Sequence, residues 1–210
     1  GGFINGGFDF DANTRLLHVS PISHGTMISF YPTFYAGGCN LTMNQLDMEV
    51  WRKVVEAERV THSFLVPTVL YRLLDLQRAN PRNLTSLTTL MYGAAPMSPD
   101  KLGELVECFG QIFVQGYAAT EAAMFVAVLD KAAHQPGNAA ALKHLSSAGQ
   151  PTPGVELYIS DAEGKSLPCG ETGEIRIRCP GIIKGYYNNP EATAAEFTVK
   201  LPEGHATLDV

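Results

Sequence analysis

Short apolar runs alternate with segments of helical periodicity between residues 16 and 128, and this alternation restricts the fold more than any other feature. In 47–60, for example, Trp51 and several valines recur at helical spacing, whereas Arg52 falls on the side expected to face water. Strands are predicted at residues 16–19, 63–66, 87–92 and 111–114, and helices at 47–60, from Pro67 onwards and at 98–110. Because strands that alternate with helices form right-handed βαβ units, the sequence predicts an α/β fold with a mainly parallel sheet and flanking helices.

The pattern changes after Gly149. Apolar and polar residues alternate with period two at 155–159 and at 174–178, with a turn at 161–164 between them. This alternation is typical of antiparallel strands with one face in water, and we expect Arg176 and Arg178 on that face. The sequence therefore predicts two partial subdomains, an α/β subdomain at 1–149 and a smaller antiparallel β subdomain at 150–210.

Charge and cysteine content exclude several classes of protein. The net charge is −6 and no block of Lys or Arg occurs, which argues against a nucleic-acid partner. The four cysteines form no CxxC pair, so we expect reduced thiols in a cytoplasmic protein. No apolar stretch approaches the length of a membrane span, and residues 1–7 do not form a signal peptide. The sequence begins without Met, and we expect an internal piece of a longer chain.

Two segments of small residues follow neighbouring predicted strands, Tyr-Gly-Ala-Ala-Pro at 92–96 and Gly-Tyr-Ala-Ala-Thr-Glu at 116–121. Ligands of open α/β sheets bind beyond the carboxyl ends of strands, where small residues let them approach the backbone. The ring of Tyr117, the hydroxyl of Thr120 and the carboxylate of Glu121 suit a purine, a phosphate oxygen and a hard cation. The alternative is that Tyr117 belongs to the core and that Thr120 and Glu121 only begin a helix.

The second of these segments resembles the Tyr-Gly-x-Thr-Glu motif of the adenylate-forming (AMP-binding) superfamily. That superfamily contains acyl- and aryl-CoA synthetases, peptide-synthetase adenylation domains and luciferases. Other segments resemble further motifs of the superfamily in the same order along the chain, at 21–25, 92–98, 153–156, 170–175, 185–193 and 207–209. The resemblance covers nearly the whole chain, which is similar to part of the large N-terminal domain of an acyl-CoA synthetase.

The resemblance implies a ligase that uses ATP (bound as ATP/AMP), Mg²⁺ and coenzyme A. In such enzymes the carboxylate of a fatty or aromatic acid attacks the α-phosphate of ATP, pyrophosphate leaves, and the acyl-AMP transfers its acyl group to the thiol of CoA. Ala119 precedes Thr120 at a position where peptide-synthetase domains usually have proline, which favours a CoA ligase.

The resemblance also implies roles for individual residues. Tyr117 would lie against the adenine, Thr120 would contact phosphate, and Glu121 would hold Mg²⁺. Asp209 would accept hydrogen bonds from both ribose hydroxyls, as a carboxylate can. The adenine and acyl pockets would be lined by Gly93, Ala94, Ala95 and Ala118. His24 would lie near the carboxylate end of the acyl tunnel, or it is an ordinary hydrogen-bonded histidine at a strand end.

Three residues depart from the family pattern. Ala118 replaces a glycine, and its methyl group narrows the acyl tunnel slightly, which leaves room for more than acetate. Leu208 replaces the glycine before Asp209, and so bulky a neighbour would disturb the orientation of the Asp209 carboxylate towards the ribose. Cys179 replaces another frequent glycine. The segment at 185–193 is interpreted as structural, with Asn189 capping a helix that begins at Pro190.

Two parts of the family's machinery do not appear in the sequence: the phosphate loop with its lysine and the small C-terminal domain with its lysine. We therefore expect this piece alone to be inactive and to bind nucleotide weakly. Two alternatives of another kind remain, a truncated paralogue that acts as a non-catalytic binding module and a peptide-synthetase adenylation domain. An unrelated nucleotide-binding domain would carry a Gly-x-Gly-x-x-Gly turn after the first strand, which the sequence lacks.

Overall fold

The structure is a computed structural model. It describes residues 7–21, 26–122, 124–135, 145–197, 199–200 and 206–209. The first seven strands are β1 (Arg15–His18), β2 (Cys39–Thr42), β3 (His62–Phe64), β4 (Thr89–Gly93), β5 (Phe113–Ala119), β6 (Met124–Leu129) and β7 (Gln150–Pro151). The remaining strands are β8 (Glu156–Ser160), β9 (Glu174–Cys179), β10 (Val199–Lys200) and β11 (Ala206–Asp209). The helices are α1 (Met27–Tyr35), α2 (Met48–Glu58), α3 (Pro67–Ala79), α4 (Pro99–Phe109) and α5 (Pro190–Glu196).

The strands form a larger and a smaller sheet. The larger sheet has the order β2-β1-β3-β4-β5-β6-β7, and its first five strands pair in parallel. A helix lies between each pair of consecutive strands from β1 to β5, which gives the predicted βαβ units. The smaller sheet has the order β10-β11-β9-β8, and all its pairs are antiparallel. The predicted α/β fold with a smaller antiparallel region is confirmed.

Local sequence signals explain where the helices begin and end. The carboxylate of Asp47 accepts hydrogen bonds from the backbone N–H groups of Glu49 and Val50, which fixes the start of α2. Pro99 occupies the first turn of α4, where its missing N–H costs no helical hydrogen bond. Ser98 before it makes no side-chain cap, and its backbone N–H donates to the hydroxyl of Tyr71 at 3.0 Å.

The chain forms two compact units, one of residues 1–116 and 128–149 and the other of residues 117–127 and 150–210. The predicted division into domains at 149–150 stays a prediction. The core of the first unit consists of apolar side chains from α2, α3, α4 and the parallel strands, among them Trp51, Leu70, Leu90 and Phe113.

Arg52 lies inside this first unit, so the expectation that it faces water is wrong. Its side chain is fully buried, and its Nη1 donates to the carbonyl oxygens of Leu76 at 3.0 Å and Asn80 at 2.7 Å. Its Nη2 also donates to Glu49 at 2.7 Å. The guanidinium therefore caps the C-terminal end of α3: it is a second donor to the Leu76 carbonyl, which also accepts from the N–H of Asn80, and it donates to the Asn80 carbonyl beyond the last turn.

The second unit has a smaller apolar core, built from Ala122, Val126, Ile177 and Cys179. Here too one arginine contradicts the expectation of a wet face. Arg176 is only 5% exposed, and its Nε donates to the hydroxyl of Ser160 at 2.7 Å. Within the described part of the chain, no helix combines the length and the apolar character that crossing a membrane requires.

Candidate functional site

The strands β4 and β5 bring two glycines of the predicted site segments into register. Gly93 at the end of β4 pairs with Gly116 of β5. A Cβ atom built on Gly93 would lie 2.4 Å from the carbonyl oxygen of Gly116, so only glycine permits this approach. Beyond Gly93 the chain turns through Ala94, whose φ of 65° lies in the left-handed region that non-glycine residues rarely adopt. Ala94 and Ala95 are both exposed.

The second segment was expected to follow its strand, but residues 116–119 belong to the strand itself, because β5 continues through Ala119. Side chains therefore alternate between two faces of the strand. Tyr117 and Ala119 are partly buried and pack against the core of the second unit, whereas Ala118 is exposed on the opposite face. Burial raises the pKa of the Tyr117 phenol above its usual range. The ring thus contacts the core, as the alternative interpretation expected, and its role against the adenine stays a prediction.

The candidate metal ligand lies just after the strand. Residues Thr120–Ala122 form a 3₁₀ turn in which Thr120 is exposed, Glu121 half-buried and Ala122 fully buried. The hydroxyl of Tyr186 donates a hydrogen bond to Oε1 of Glu121 at 2.8 Å. The backbone N–H of Ile183 donates to the carbonyl oxygen of the same residue at 2.8 Å. The hydrogen bond to the carboxylate raises the pKa of the Tyr186 phenol.

Sequence reasoning did not find Tyr186, because it assigned the 185–193 segment a structural role only. That role is present, since the side chain of Asn189 accepts a hydrogen bond from the N–H of Ala192 at 3.1 Å and caps α5. The Gly-Tyr-Tyr sequence before this cap was the feature that could have pointed to a functional tyrosine. A tyrosine whose partner lies 65 positions earlier cannot be assigned to it from spacing alone.

The carboxylate of Glu121 can bind a magnesium ion through its second oxygen, Oε2. Mg²⁺ prefers oxygen ligands and usually binds one or two carboxylates together with waters and phosphate oxygens. Among the described residues, Oε1 of Glu121 accepts from Tyr186 and no protein donor contacts Oε2. The described parts of the chain hold no group of three or more His, Cys, Asp or Glu able to bind a metal by themselves. The arrangement fits an ion that takes its remaining ligands from a nucleotide and water.

Two predicted site residues are only partly within reach of the structure. His24 lies outside the described residues. The backbone of Asp209 ends β11 and pairs with Arg176 of β9, which ties the motif at 207–209 to the smaller sheet; its side chain lies outside the described residues. Cys179, which replaces a frequent glycine of the family pattern, is buried in the core of the second unit.

A buried polar network lies beneath the end of β4. The Tyr92 hydroxyl is 2.9 Å from Nε2 of His134 and 3.1 Å from the amide oxygen of Gln115. Nδ1 of His134 is 2.6 Å from the carbonyl oxygen of Asp130, so it carries the proton and donates it. Burial lowers the pKa of His134 and raises that of Tyr92, and both groups are therefore neutral near pH 7. This network fixes the strand end from which Gly93 and Ala94 emerge.

The sequence model of the family described as "AMP-binding enzyme" matches residues 2–187. The chain belongs to this family. Among curated relatives, the chain is 36% identical over 190 residues to the medium/long-chain-fatty-acid–CoA ligase FadD8 of Mycobacterium tuberculosis, with 90% of the chain and 32% of the relative covered. It is 35% identical over 188 residues to a feruloyl-CoA synthase of an Amycolatopsis species, with 89% and 37% covered. This member of the AMP-binding family thus spans about a third of the length of these relatives.

A solved structure shows the same fold. The amide bond synthetase McbA of Marinactinospora thermotolerans superposes on this AMP-binding chain with a TM-score of 0.84 at 30% sequence identity. The match covers 98% of the chain and 40% of the McbA chain. The α/β fold of this family member is therefore that of adenylate-forming enzymes.

Proposed function

We propose that this chain forms part of an ATP-dependent acid–thiol ligase that adenylates a carboxylic acid and transfers the acyl group to coenzyme A. The observation that supports it most is the position of 117–121 within an AMP-binding family member. This segment directly follows Gly116, which pairs with Gly93 at the carboxyl end of β4. Ligands of open α/β sheets bind at such strand ends.

Each residue of the site has a task in this reaction. The half-buried Tyr117 ring stacks on the adenine, and Thr120, which is exposed, donates to a phosphate oxygen. Gly93, with the exposed Ala94 and Ala95, lets the ligand approach the backbone of the β4 turn. We further propose that Asp209 accepts hydrogen bonds from the ribose hydroxyls and that His24 lies near the acyl carboxylate.

The reaction has two balanced steps. A carboxylate oxygen of the acid bonds to the α-phosphorus of ATP, and the bond to the pyrophosphate oxygen breaks with its electron pair. The thiol sulfur of CoA then bonds to the acyl carbon, AMP leaves, and the thiol proton passes to solvent. Mg²⁺, when bound, offsets the negative charge that builds up during the first step, and Glu121 is the residue that would hold it.

The acid that this site accepts belongs to a class larger than acetate. Ala118 is exposed on β5, and its methyl group, in place of the family's glycine, would narrow an acyl pocket there without closing it. The relatives' names include a fatty-acid ligase and a feruloyl ligase, which supports an acid with a fatty or aromatic tail. The cytoplasmic location stays a prediction.

Pyrophosphate exchange into ATP by the full-length protein tests the first step directly, because it requires adenylation and no acceptor. The exchange should depend on an acid from a panel of fatty and aromatic acids. We expect Glu121→Gln to reduce the exchange rate by about 100-fold or more, since a neutral amide holds Mg²⁺ more weakly than a carboxylate and the ion offsets the charge of the transition state. Glu163→Gln, an exposed carboxylate in the β8–β9 turn, is the matched control and should leave the rate unchanged.

The outcomes separate the alternatives. Exchange by the wild-type protein with an undiminished rate in Glu121→Gln rules out the metal role of that carboxylate. No exchange with any acid in the panel favours a non-catalytic binding module.

A second candidate concerns only the acyl acceptor. The similarity to McbA, an amide bond synthetase, makes an amine the competing acceptor. Product analysis with CoA and with a panel of amines decides between them: an acyl-CoA supports the ligase, and an amide without any thioester contradicts it.

A further inference from the structure

The chain that precedes and forms α5 holds Glu121 at two points. The backbone N–H of Ile183 fixes the carbonyl oxygen of Glu121, and the hydroxyl of Tyr186 fixes its carboxylate, each at 2.8 Å. We call residues 183–197 the Glu121 brace. The two contacts act on the main chain and on the side chain of one residue, and they leave the carboxylate little rotational freedom.

The Glu121 brace is itself held in place by contacts around Tyr186. The backbone N–H of Tyr186 donates to Oγ1 of Thr193 at 2.9 Å, and the Thr193 hydroxyl donates to the carbonyl oxygen of Asn189 at 2.8 Å. The ring of Phe197 packs edge-on against the Tyr186 ring, with 5.8 Å between centroids. These hydrogen bonds fix the backbone of Tyr186 and the Phe197 contact fixes its ring, so the phenol oxygen is held in place.

We propose that Tyr186 is a positioning residue for the metal-binding carboxylate: it occupies Oε1 of Glu121 and so directs Oε2 towards the ion. This inference rests on the proposed function, in which Glu121 holds Mg²⁺. Hydrogen bonds to a charged carboxylate are stronger than neutral ones and fix its orientation. Residues that orient a metal ligand contribute about 10–100-fold to metal affinity or activity in other metal sites.

The phenol group, rather than the ring, carries the role. Packing against Phe197 uses only the ring, which phenylalanine retains. The hydroxyl makes its one hydrogen bond among the described residues to Glu121. Removing it therefore frees the carboxylate while leaving the apolar contacts of the Glu121 brace in place.

The test compares Tyr186→Phe with Tyr187→Phe in the full-length protein. Tyr187 is the adjacent tyrosine and is 94% exposed, which makes it a matched control. Pyrophosphate exchange is measured over a range of Mg²⁺ concentrations at saturating ATP and acid. Independently of activity, Mn²⁺ affinity is measured by electron paramagnetic resonance with a non-hydrolysable ATP analogue present.

Tyr186→Phe should raise the half-saturating Mg²⁺ concentration roughly 10-fold and weaken Mn²⁺ binding by a similar factor. The exchange rate at saturating metal should remain close to the wild-type rate, and Tyr187→Phe should match the wild type throughout. A loss of exchange that is equal at all metal concentrations, with unchanged Mn²⁺ affinity, would mean a structural role only and would overturn the inference. Unchanged values in Tyr186→Phe, together with an inactive Glu121→Gln, would also overturn it while leaving the proposed function intact. Exchange by Glu121→Gln at the wild-type rate would instead rule out the metal role of Glu121 and with it this inference, whereas no exchange by the wild-type protein with any acid would defeat the proposed function itself.

Discussion

At the residue scale, two arginines are buried although the periodicity that correctly predicted their helix and strand placed them on the face towards water. Arg52 and Arg176 both occupy positions at which charge in an amphipathic pattern should face water, yet both are buried. Each guanidinium finds oxygen partners inside the protein, carbonyls at the end of α3 for Arg52 and the Ser160 hydroxyl for Arg176. The polarity of a residue in the sequence does not show the hydrogen-bond acceptors that another helix or strand supplies.

Replacing Arg52 should destabilise the fold without touching the candidate site. Arg52→Met keeps the length and apolar stem of the side chain but leaves the carbonyls of Leu76 and Asn80 without its donors. We expect a loss of about 1.5–3 kcal/mol in the free energy of unfolding, the usual contribution of hydrogen bonds to a charged group. Urea unfolding measures it. Lys53→Met, at the exposed neighbouring position, should change stability little, and an equal loss in both variants would contradict the capping role.

Local signals at single residues were predictable, whereas distant partners were not. Asn189 was expected to cap the helix that begins at Pro190, and it does, because a cap depends on the next few residues. Tyr186 lies three positions before that cap, but its partner Glu121 lies 65 positions away. Such a pairing becomes visible only when the chain is folded.

At the scale of elements, β5 extends well beyond the predicted strand. The prediction ended it at residue 114, because Gly116 and the alanines that follow have low strand propensity. In the structure, backbone pairing with β4 continues to Gly116, and the strand itself continues to Ala119. Neighbouring strands thus override local propensity, and Tyr117 and Ala118 consequently point to opposite faces.

The Glu121 brace depends on a glycine at its start. Gly185 has a φ of 141°, and a Cβ atom there would lie 2.5 Å from Cγ2 of Thr193. Gly185→Ala combines a backbone penalty with this clash, and we expect it to lower the free energy of unfolding by about 1–3 kcal/mol. Gly103→Ala in α4 is the matched control, because a Cβ atom there would have no neighbour within 4 Å apart from the backbone of its own helix, and alanine favours a helix. Thermal unfolding should show opposite shifts for the two variants; a neutral Gly185→Ala would contradict the tight packing of this turn.

At the scale of the whole molecule, the fold class followed from the sequence because strand and helix periods are long and regular from β3 to β5. Of the elements before β3, the strand β1 and the helix α2 were predicted, whereas α1 and β2 were missed. The α1 sequence combines aromatic residues with Pro32 inside the helix, and β2 is a short strand at the edge of the sheet with no buried residue. The strand β2 forms because β1 supplies its hydrogen-bonding partners, which no local pattern records. The proline inside α1 is a local signal against a helix.

Three buried histidines give the molecule a dependence on pH that acts through stability. Burial lowers the pKa of His18, His62 and His134 below the ordinary value of 6.5. His18 lies 2.6 Å from Oδ1 of Asn40, and His62 lies 2.9 Å from the carbonyl oxygen of Phe8. Each neutral imidazole donates its single N–H to one such oxygen, and a second proton is disfavoured because burial removes the water that would solvate the charged ring.

Because the folded-state pKa values lie below the unfolded value, the unfolded chain binds more protons just below pH 6.5. The free energy of unfolding should therefore be fully retained above that pH and should fall as the pH decreases from it towards the folded-state values. Unfolding midpoints at about pH 7.5 and about pH 5.5 measure the loss, and His134→Gln should make it smaller by removing one titrating group. Asp11→Asn should leave the loss of stability between these two pH values unchanged. The pKa of that exposed carboxyl is lowered from 3.8, so it titrates only in stronger acid. A midpoint that does not shift between the two pH values would show that the three imidazoles accept protons as readily in the folded protein as in the unfolded chain.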